Sequence, residues 1–413
     1  MNIHDKDTLH ECTSCQMCAA VCPKQAIDIH LNQDGFYRPV IDGEKCVDCG
    51  ICKSVCYKYA NIPEYKDVDK LLNYAASAKS DAVVSGTTSG GLGDILCEQL
   101  VNEGYLCVGV TYNTEKNIAV DTVAKTREES ILFRGSKYIQ SYTYNAFKSI
   151  VDNHLNDKVA VFGTPCHIFA IDKYLKKRKK RDNFVLIDIY CHGCPSMNVW
   201  KRYLEYVNGK THEKSYDYVS FRSKAYGWGS YYVAQMKKGG KTLFTSPKIN
   251  DKFYTLFFSD VLLNESCYDC KLRSTMDSTD IRIGDFWGKA YLKNTRGVSL
   301  VTVNHASEKG KALFEKVKDK ITYKQHPATD CISFQSWGLT YDIESELRKK
   351  LFDSLADSRQ TIEDTVRILW QSRSLKARLK QKAKNFILLM PRPVVAFFKG
   401  LVSVSYTHLT LPT

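Results

Sequence analysis

The sequence has no run of about eighteen uncharged apolar residues, the length a membrane-spanning helix needs, so no spanning segment is expected. No signal peptide precedes Cys12, so a secreted, disulfide-stapled fold is not expected despite the sixteen cysteines. Free thiols at this density point to a reducing cytoplasm, and oxygen-labile clusters would suit an anaerobic cell. Acid is also missing locally. Nine cations (Arg367, Arg373, Lys376, Arg378, Lys380, Lys382, Lys384, Arg392 and Lys399) occur with no Asp or Glu between the first and the last. A second run, Lys173, Lys176, Lys177, Arg178, Lys179, Lys180 and Arg181, adds seven more. Apart from these two segments the net charge of +14 falls close to zero, so the basicity is confined to two surfaces. No nucleic-acid motif accompanies either run. Solvated faces or an acidic partner are therefore expected, and no nucleic acid. At 413 residues and 44% hydrophobic content, two or three globular domains are expected.

Eight cysteines fall into two matching runs, Cys12, Cys15, Cys18, Cys22 and Cys46, Cys49, Cys52, Cys56, offset by 34 residues. Thiolates at every third position let the chain curl around one iron–sulfur cube, and the fourth, held off by three residues, reaches the other cube. On that logic Cys12, Cys15, Cys18 and Cys56 hold one cluster, and Cys46, Cys49, Cys52 and Cys22 hold the second. Zinc knuckles lack the third cysteine at the same step. This stretch resembles a bacterial-type ferredoxin with two 4Fe-4S clusters. Tyr57 stands where the first run has Pro23, a position that carries no ligand.

Beyond a polar connector, a short helix is expected over Lys70–Ala78, then a strand over Ala82–Gly86 that ends in Ser89-Gly90-Gly91. The helix starting at Leu92 and the strand Leu106–Tyr112 would complete a βαβ unit, whose glycine turn suits phosphate. Arg134–Tyr138 is a polar break, where Lys137 could hold a pyrophosphate as a point charge. Buried strands over Val159–Phe162 and Phe184–Ile189 end in Gly163-Thr164-Pro165-Cys166 and in Cys191-His192-Gly193-Cys194. Strand ends of this kind are where α/β sheets place ligands. Strands are also expected over Val219–Arg222, Ser230–Gln235 and Lys241–Thr245, with Gly239-Gly240 as a hairpin turn. Cys267 and Cys270 form a further pair, and a strand over Asp280–Gly284 runs into Asp285-Phe286-Trp287-Gly288. From Tyr341 to Met390 the pattern is helical, broken by Pro391. Leu369, Leu375, Leu379, Ala383, Phe386 and Ile387 share a face there, with Lys376, Lys380 and Lys384 on another. Such a helix either caps the domain or lies on an anionic membrane as a peripheral contact, and packing or a protein contact is the expectation.

Taken in order, SGG (89–91), GSKY (135–138), GTPC (163–166), CHGCPS (191–196), FRSKAYGWG (221–229), CYDCKLR (267–273) and DIRIGDFWG (280–288) resemble the coenzyme F-420 hydrogenase/dehydrogenase beta-subunit family. The resemblance implies an oxidoreductase with bound FAD and an iron–sulfur cluster beside it. Cys166, Cys191, Cys267 and Cys270 are the candidate ligands of a third 4Fe-4S cluster. Spacing leaves zinc open for the same four, and leaves Cys194 as a rival to Cys191. Gly90, Gly91, Ser136, Lys137 and Thr164 are the candidates for the FAD pyrophosphate and ribose, and Asp285, Phe286 and Trp287 for its ring. Tyr226, Trp228, Tyr231 and Tyr232 could stack on a flat coenzyme. No catalytic residue is singled out.

The expected architecture is α+β and α/β: a ferredoxin domain (1–62), a mixed α/β flavin-binding domain (63–335) and a basic helical segment (336–404). Residues 405–413 read as a non-native tail. The expected function is electron movement between a hydride-carrying coenzyme of the deazaflavin F-420 type and a one-electron carrier, a ferredoxin or other redox partner protein. The alternative is a non-catalytic electron-transfer partner, one that could serve a polysaccharide-biosynthesis enzyme.

Overall fold

The computed structural model describes residues 2–3, 11–229 and 232–401. Near the N-terminus the two cysteine runs fold as a repeat. Ser14 and Gln16 in the first loop, and Asp48 and Gly50 in the second, occupy the same motif positions and are all left-handed (φ 61°, 61°, 51° and 74°). Those dihedrals turn each loop back on itself, as a chain wrapping a cube requires. An antiparallel hairpin, Ile27–Leu31 with Tyr37–Ile41, closes the domain.

The body is built on a nine-stranded sheet. Its centre is parallel: Leu106–Asn113, Val159–Phe162, Phe184–Ile189 and Ile281–Asp285 lie side by side. Antiparallel strands flank this centre, Ser299–Val303, Leu72–Ala78 and Ile321–His326 on one side and Ile118–Ala124 on the other. Ser141–Tyr142 forms the far edge. The parallel centre is largely buried: Val159–Phe162 is wholly apolar, and the charges that interrupt its neighbours, Asp188 and Arg282, are buried as a pair. All the parallel strands point their C-terminal ends at one edge of the sheet, and that edge carries the site.

Two expected elements are exchanged. Leu72–Ala78 is a strand, and Asp81–Gly86 is a helix. Tyr74, Ala76 and Ala78 point to one core and Ala75 to the other, a period of two hidden by small side chains. Ser80 caps the following helix by accepting from the Val83 N–H. The glycine turn thus joins two helices, not a strand and a helix. The Gly239-Gly240 hairpin forms as expected, with both residues at positive φ. Around it the strands are Tyr218–Ser220, Gln235–Lys238 and Lys241–Thr245, so the expected strand 230–235 survives only at its end. Ser230 and Tyr231 lie outside the described residues.

Helices Ser345–Ala356 and Ile362–Ser372 bury Leu347, Leu351, Leu355, Ile362, Val366 and Leu369 in the largest core. The next helix, Leu375–Leu389, buries nothing. Of the expected apolar face, Leu369 is buried in the core and Ile387 is half-buried, but Leu375, Leu379 and Phe386 are exposed, so most of the face does not pack on the body. No helix among the described residues is long and apolar enough to cross a membrane.

Asp121 carries a pH-dependent cost. Burial in the sheet pushes its carboxyl up to about 7, offset only in part by the Ser141 hydroxyl and the Lys137 ammonium. The folded state then holds a proton that the unfolded chain has already lost, so stability declines as pH rises towards 7 and the cost is complete above it. Asp121→Asn should therefore raise the unfolding free energy at about pH 8 by on the order of a few kcal/mol, with much less gain near pH 4, both measured by urea unfolding. Equal gains at both pH values would refute this assignment.

Candidate functional site

At the C-terminal edge of the parallel strands lies a cavity of about 800 Å³, bordered by several loops of the body, the first cysteine loop and the C-terminal helices. Its polar corner is the start of helix Leu92–Asn102, with Thr87, Thr88, Gly91 and Ser136 around it. The Ser136 N–H donates to Thr88 Oγ1 at 3.0 Å, tying two of the loops together. Asp94 on this helix is held below the usual carboxylate range: burial opposes ionisation, but hydrogen bonds from Arg134 and Arg127 outweigh it. Helix N–H groups, hydroxyls and the Arg134 guanidinium suit a pyrophosphate at this corner.

The structure sorts the expected flavin contacts. Gly91, Ser136, Lys137, Thr164, Asp285 and Trp287 border the cavity. Gly90 does not, because its N–H donates to Ser299 Oγ and a Cβ would meet the Ala76 carbonyl at 2.3 Å. Gly90 is small so that the turn can sit on the sheet. Gly91 has φ +88°, and a Cβ there would lie 2.7 Å from Val83; a side chain would disturb the turn itself rather than only a ligand. Lys137 donates to the carbonyls of Leu132, Phe133 and Arg134, so its ammonium shapes the loop and is no free point charge. The Thr164 hydroxyl lies 3.1 Å from Cys166 Sγ. Phe286 is a correction: it turns into the core against Tyr291 and His326.

Asp285 is already engaged. It accepts from Arg222 and from Trp228 Nε1, while its backbone carbonyl accepts from Gln335. Arg222 also donates to the Tyr138 hydroxyl and lies 3.9 Å from the centre of the Tyr232 ring. Trp228 and Trp287 stack in parallel, 5.6 Å apart. Tyr138, Tyr232 and Trp287 line the cavity, whereas Trp228 stands behind Trp287 and Tyr226 contacts Lys248. Arg222, given no role by sequence, organises this aromatic wall.

The opposite wall is sulfur. Cys166, Cys191, Cys194, Cys267 and Cys270 all border the cavity. Burial pushes the Cys166 thiol well up, with Cys15 next and then Cys191 and Cys270 adding to the effect. Cys191 rises to about 12 through burial and then Cys267. Burial pushes Cys194 well up, with Cys267, Cys191 and Cys166 adding to the rise and Arg38 opposing it, so Cys194 faces the same thiols as Cys191. Among the described residues no three His, Cys, Asp or Glu are grouped to hold a single metal ion. Arg273 donates to the carbonyls of Cys191 and His192 and sets a buried cation beside the thiols. Arg282, paired with Asp188 at 2.6 and 2.8 Å, fixes the carbonyls of Leu272, Arg273 and Thr275 and so the loop of Cys267 and Cys270.

The ferredoxin loops meet this wall directly. Burial first raises Cys18, Cys52 and Cys56; Cys56 is then raised by Cys15 and Cys12, Cys18 by Cys15, Cys12, Cys56 and, from the other set, Cys52, and Cys52 by Cys49 and Cys22. Cys46 is half-buried and Cys49 exposed. Tyr57 accepts from the Lys271 N–H at 3.1 Å and packs edge-on against Phe169, so the residue that replaces a proline bridges the two cysteine regions.

These loops define an iron–sulfur electron carrier: residues 11–60 match the 4Fe-4S dicluster domain. Residues 156–330 match the C-terminal part of the coenzyme F420 hydrogenase/dehydrogenase beta subunit. Over 88 residues the chain is 33% identical to coenzyme F420 hydrogenase subunit beta of Methanococcus voltae, covering 20% of this chain and 31% of that protein. The match thus spans less than a third of the relative's length. A chain of the F420-reducing NiFe hydrogenase complex from Methanosarcina barkeri, solved as a xenon derivative, is similar at 16% identity and a TM-score of 0.42, covering 75% of this chain and 94% of its own.

Asp285→Ala should act through Arg222 and Trp228. It leaves a buried guanidinium without its carboxylate and should cost about 3–5 kcal/mol of stability, measured by urea unfolding. Unchanged stability with altered colour would instead make Asp285 a direct cofactor contact.

Proposed function

We propose that this chain is an iron–sulfur flavoprotein oxidoreductase that exchanges electrons between a hydride-carrying coenzyme and a one-electron carrier. The observation that carries this reading is Cys166, which borders the cavity and also senses Cys15 of the first ferredoxin loop. FAD would occupy the cavity, its pyrophosphate at the start of helix Leu92–Asn102 and its ring along Tyr138, Tyr232 and Trp287. Cys166, Cys191, Cys267 and Cys270 would hold a third 4Fe-4S cluster, followed by the set Cys12, Cys15, Cys18, Cys56 and then Cys22, Cys46, Cys49, Cys52. When bound, the flavin exchanges electron pairs and each cube a single electron. Arg273 offsets anionic charge at the middle set, and the exposed Cys49 places the outermost set where a redox partner protein can reach it. The coenzyme named in the relatives' descriptions supports a deazaflavin of the F420 type as the hydride carrier.

Anaerobically prepared protein should be yellow-brown, release FAD on denaturation and carry about twelve iron atoms per chain. Cys166→Ser should retain about eight of them. Loss of iron in Cys194→Ser but not in Cys191→Ser would exchange those two ligands. Stoichiometric zinc at the middle set would remove the third cube. Reduced F420, NADH and NADPH should be compared as donors to a viologen dye, with F420 expected to be oxidised. If none is oxidised while reduced ferredoxin fills the clusters, the chain is a non-catalytic relay. A protein without flavin that binds none on adding FAD would defeat the flavoprotein reading.

A further inference from the structure

Leu375–Leu389 is an amphipathic helix turned inside out. Leu375, Leu379, Phe386 and Leu389 form one stripe by helical spacing, and they are 71%, 56%, 66% and 58% exposed. Ala377, Lys380, Gln381, Lys384 and Leu388, on the other side, border the cavity. After Pro391 the helix Arg392–Leu401 adds Phe397, 62% exposed, while Val395 turns inward. A helix that only capped the domain would point its leucine stripe at the core. Charge decides what covers the stripe. Nine cations and no acid occur from Arg367 to Lys399; Lys376 and Arg378 are exposed beside the stripe, and Lys382 is exposed within it, where a long side chain can carry its ammonium up to the headgroups. A second copy of the chain would set like charge against like across a symmetric contact. An anionic lipid surface meets both the leucines and the lysines.

We propose that Leu375–Leu401 is an interfacial anchor that lies on an anionic membrane. Leu375, Leu379, Phe386, Leu389 and Phe397 enter the boundary between headgroups and acyl chains, and the flanking cations meet lipid phosphates. The same helix borders the cavity, so membrane contact brings the cavity close to the bilayer surface.

The test is flotation of the full anaerobic chain with vesicles of phosphatidylcholine alone or mixed with phosphatidylglycerol. The chain should float with the anionic vesicles only, and less at about 1 M salt, where screening acts over about 3 Å. Leu379→Glu with Phe386→Glu should lower partitioning about tenfold or more, with iron content and circular dichroism unchanged. Lys376→Gln with Lys382→Gln should weaken the preference for anionic lipid. Failure to float, equal flotation with both vesicles, or unaltered flotation of the Glu variant would each overturn the proposal. A dimer in gel filtration that Phe386→Glu dissociates would assign the face to a second copy instead.

Discussion

The structure depends on a set of buried polar contacts that fix the first cysteine loop to the edge of the sheet. Gln16, itself left-handed and buried, donates to the Ser141 carbonyl and accepts from the N–H groups of Thr143 and Tyr144. Asn264 donates to the Cys12 carbonyl and accepts from Arg38, which also donates to Ser14. Gln140 donates to the carbonyls of Gly35 and Pro195. Each of these groups would be costly to bury unpaired, so the loop has one low-energy seat. That seat brings Cys15 beside Cys166. A flexible tether would leave the distance between redox centres to chance.

Charge on sulfur sets a second constraint. Burial first, and neighbouring thiols after it, push Cys15, Cys18, Cys56 and Cys166 upward, so their thiolates need cationic partners. Arg273 supplies one beside the middle set, and it is held there by backbone carbonyls rather than by an acid. A guanidinium not neutralised by a carboxylate is the arrangement that favours a more negative, reduced centre. The acids of the region serve neighbouring arginines instead: Asp188 holds Arg282, and Asp285 holds Arg222. The cavity is thus framed by ion pairs that lock loops, while Arg273 and, towards Cys194, Arg38 face the sulfur wall without a carboxylate partner among the described residues.

Much of this was legible in the sequence because cysteine spacing is a direct record of ligand geometry. The ferredoxin repeat, the parallel strands ending in Cys166 and Cys191, and the glycine hairpin all leave local signals. Gln16, Arg38 and Asn264 left none, since a single polar residue acquires its role only from a partner distant in the chain. The exchange of strand and helix over 70–86 came from small residues that blur a period of two. Phe286 was misplaced because an acidic, aromatic turn says nothing about which ring faces inward. The C-terminal stripe was visible as periodicity, but periodicity does not record whether a stripe faces the core or solvent.

The central claim is that the cavity's sulfur wall and the first ferredoxin cluster are neighbours. Low-temperature electron paramagnetic resonance of the fully reduced chain tests it most directly. The account predicts spin–spin broadening between the cluster of Cys12, Cys15, Cys18 and Cys56 and the one at Cys166, lost in Cys166→Ser while the interaction within the ferredoxin domain persists. A spectrum of the intact chain identical to that of Cys166→Ser, with the third cluster present by iron content, would contradict it.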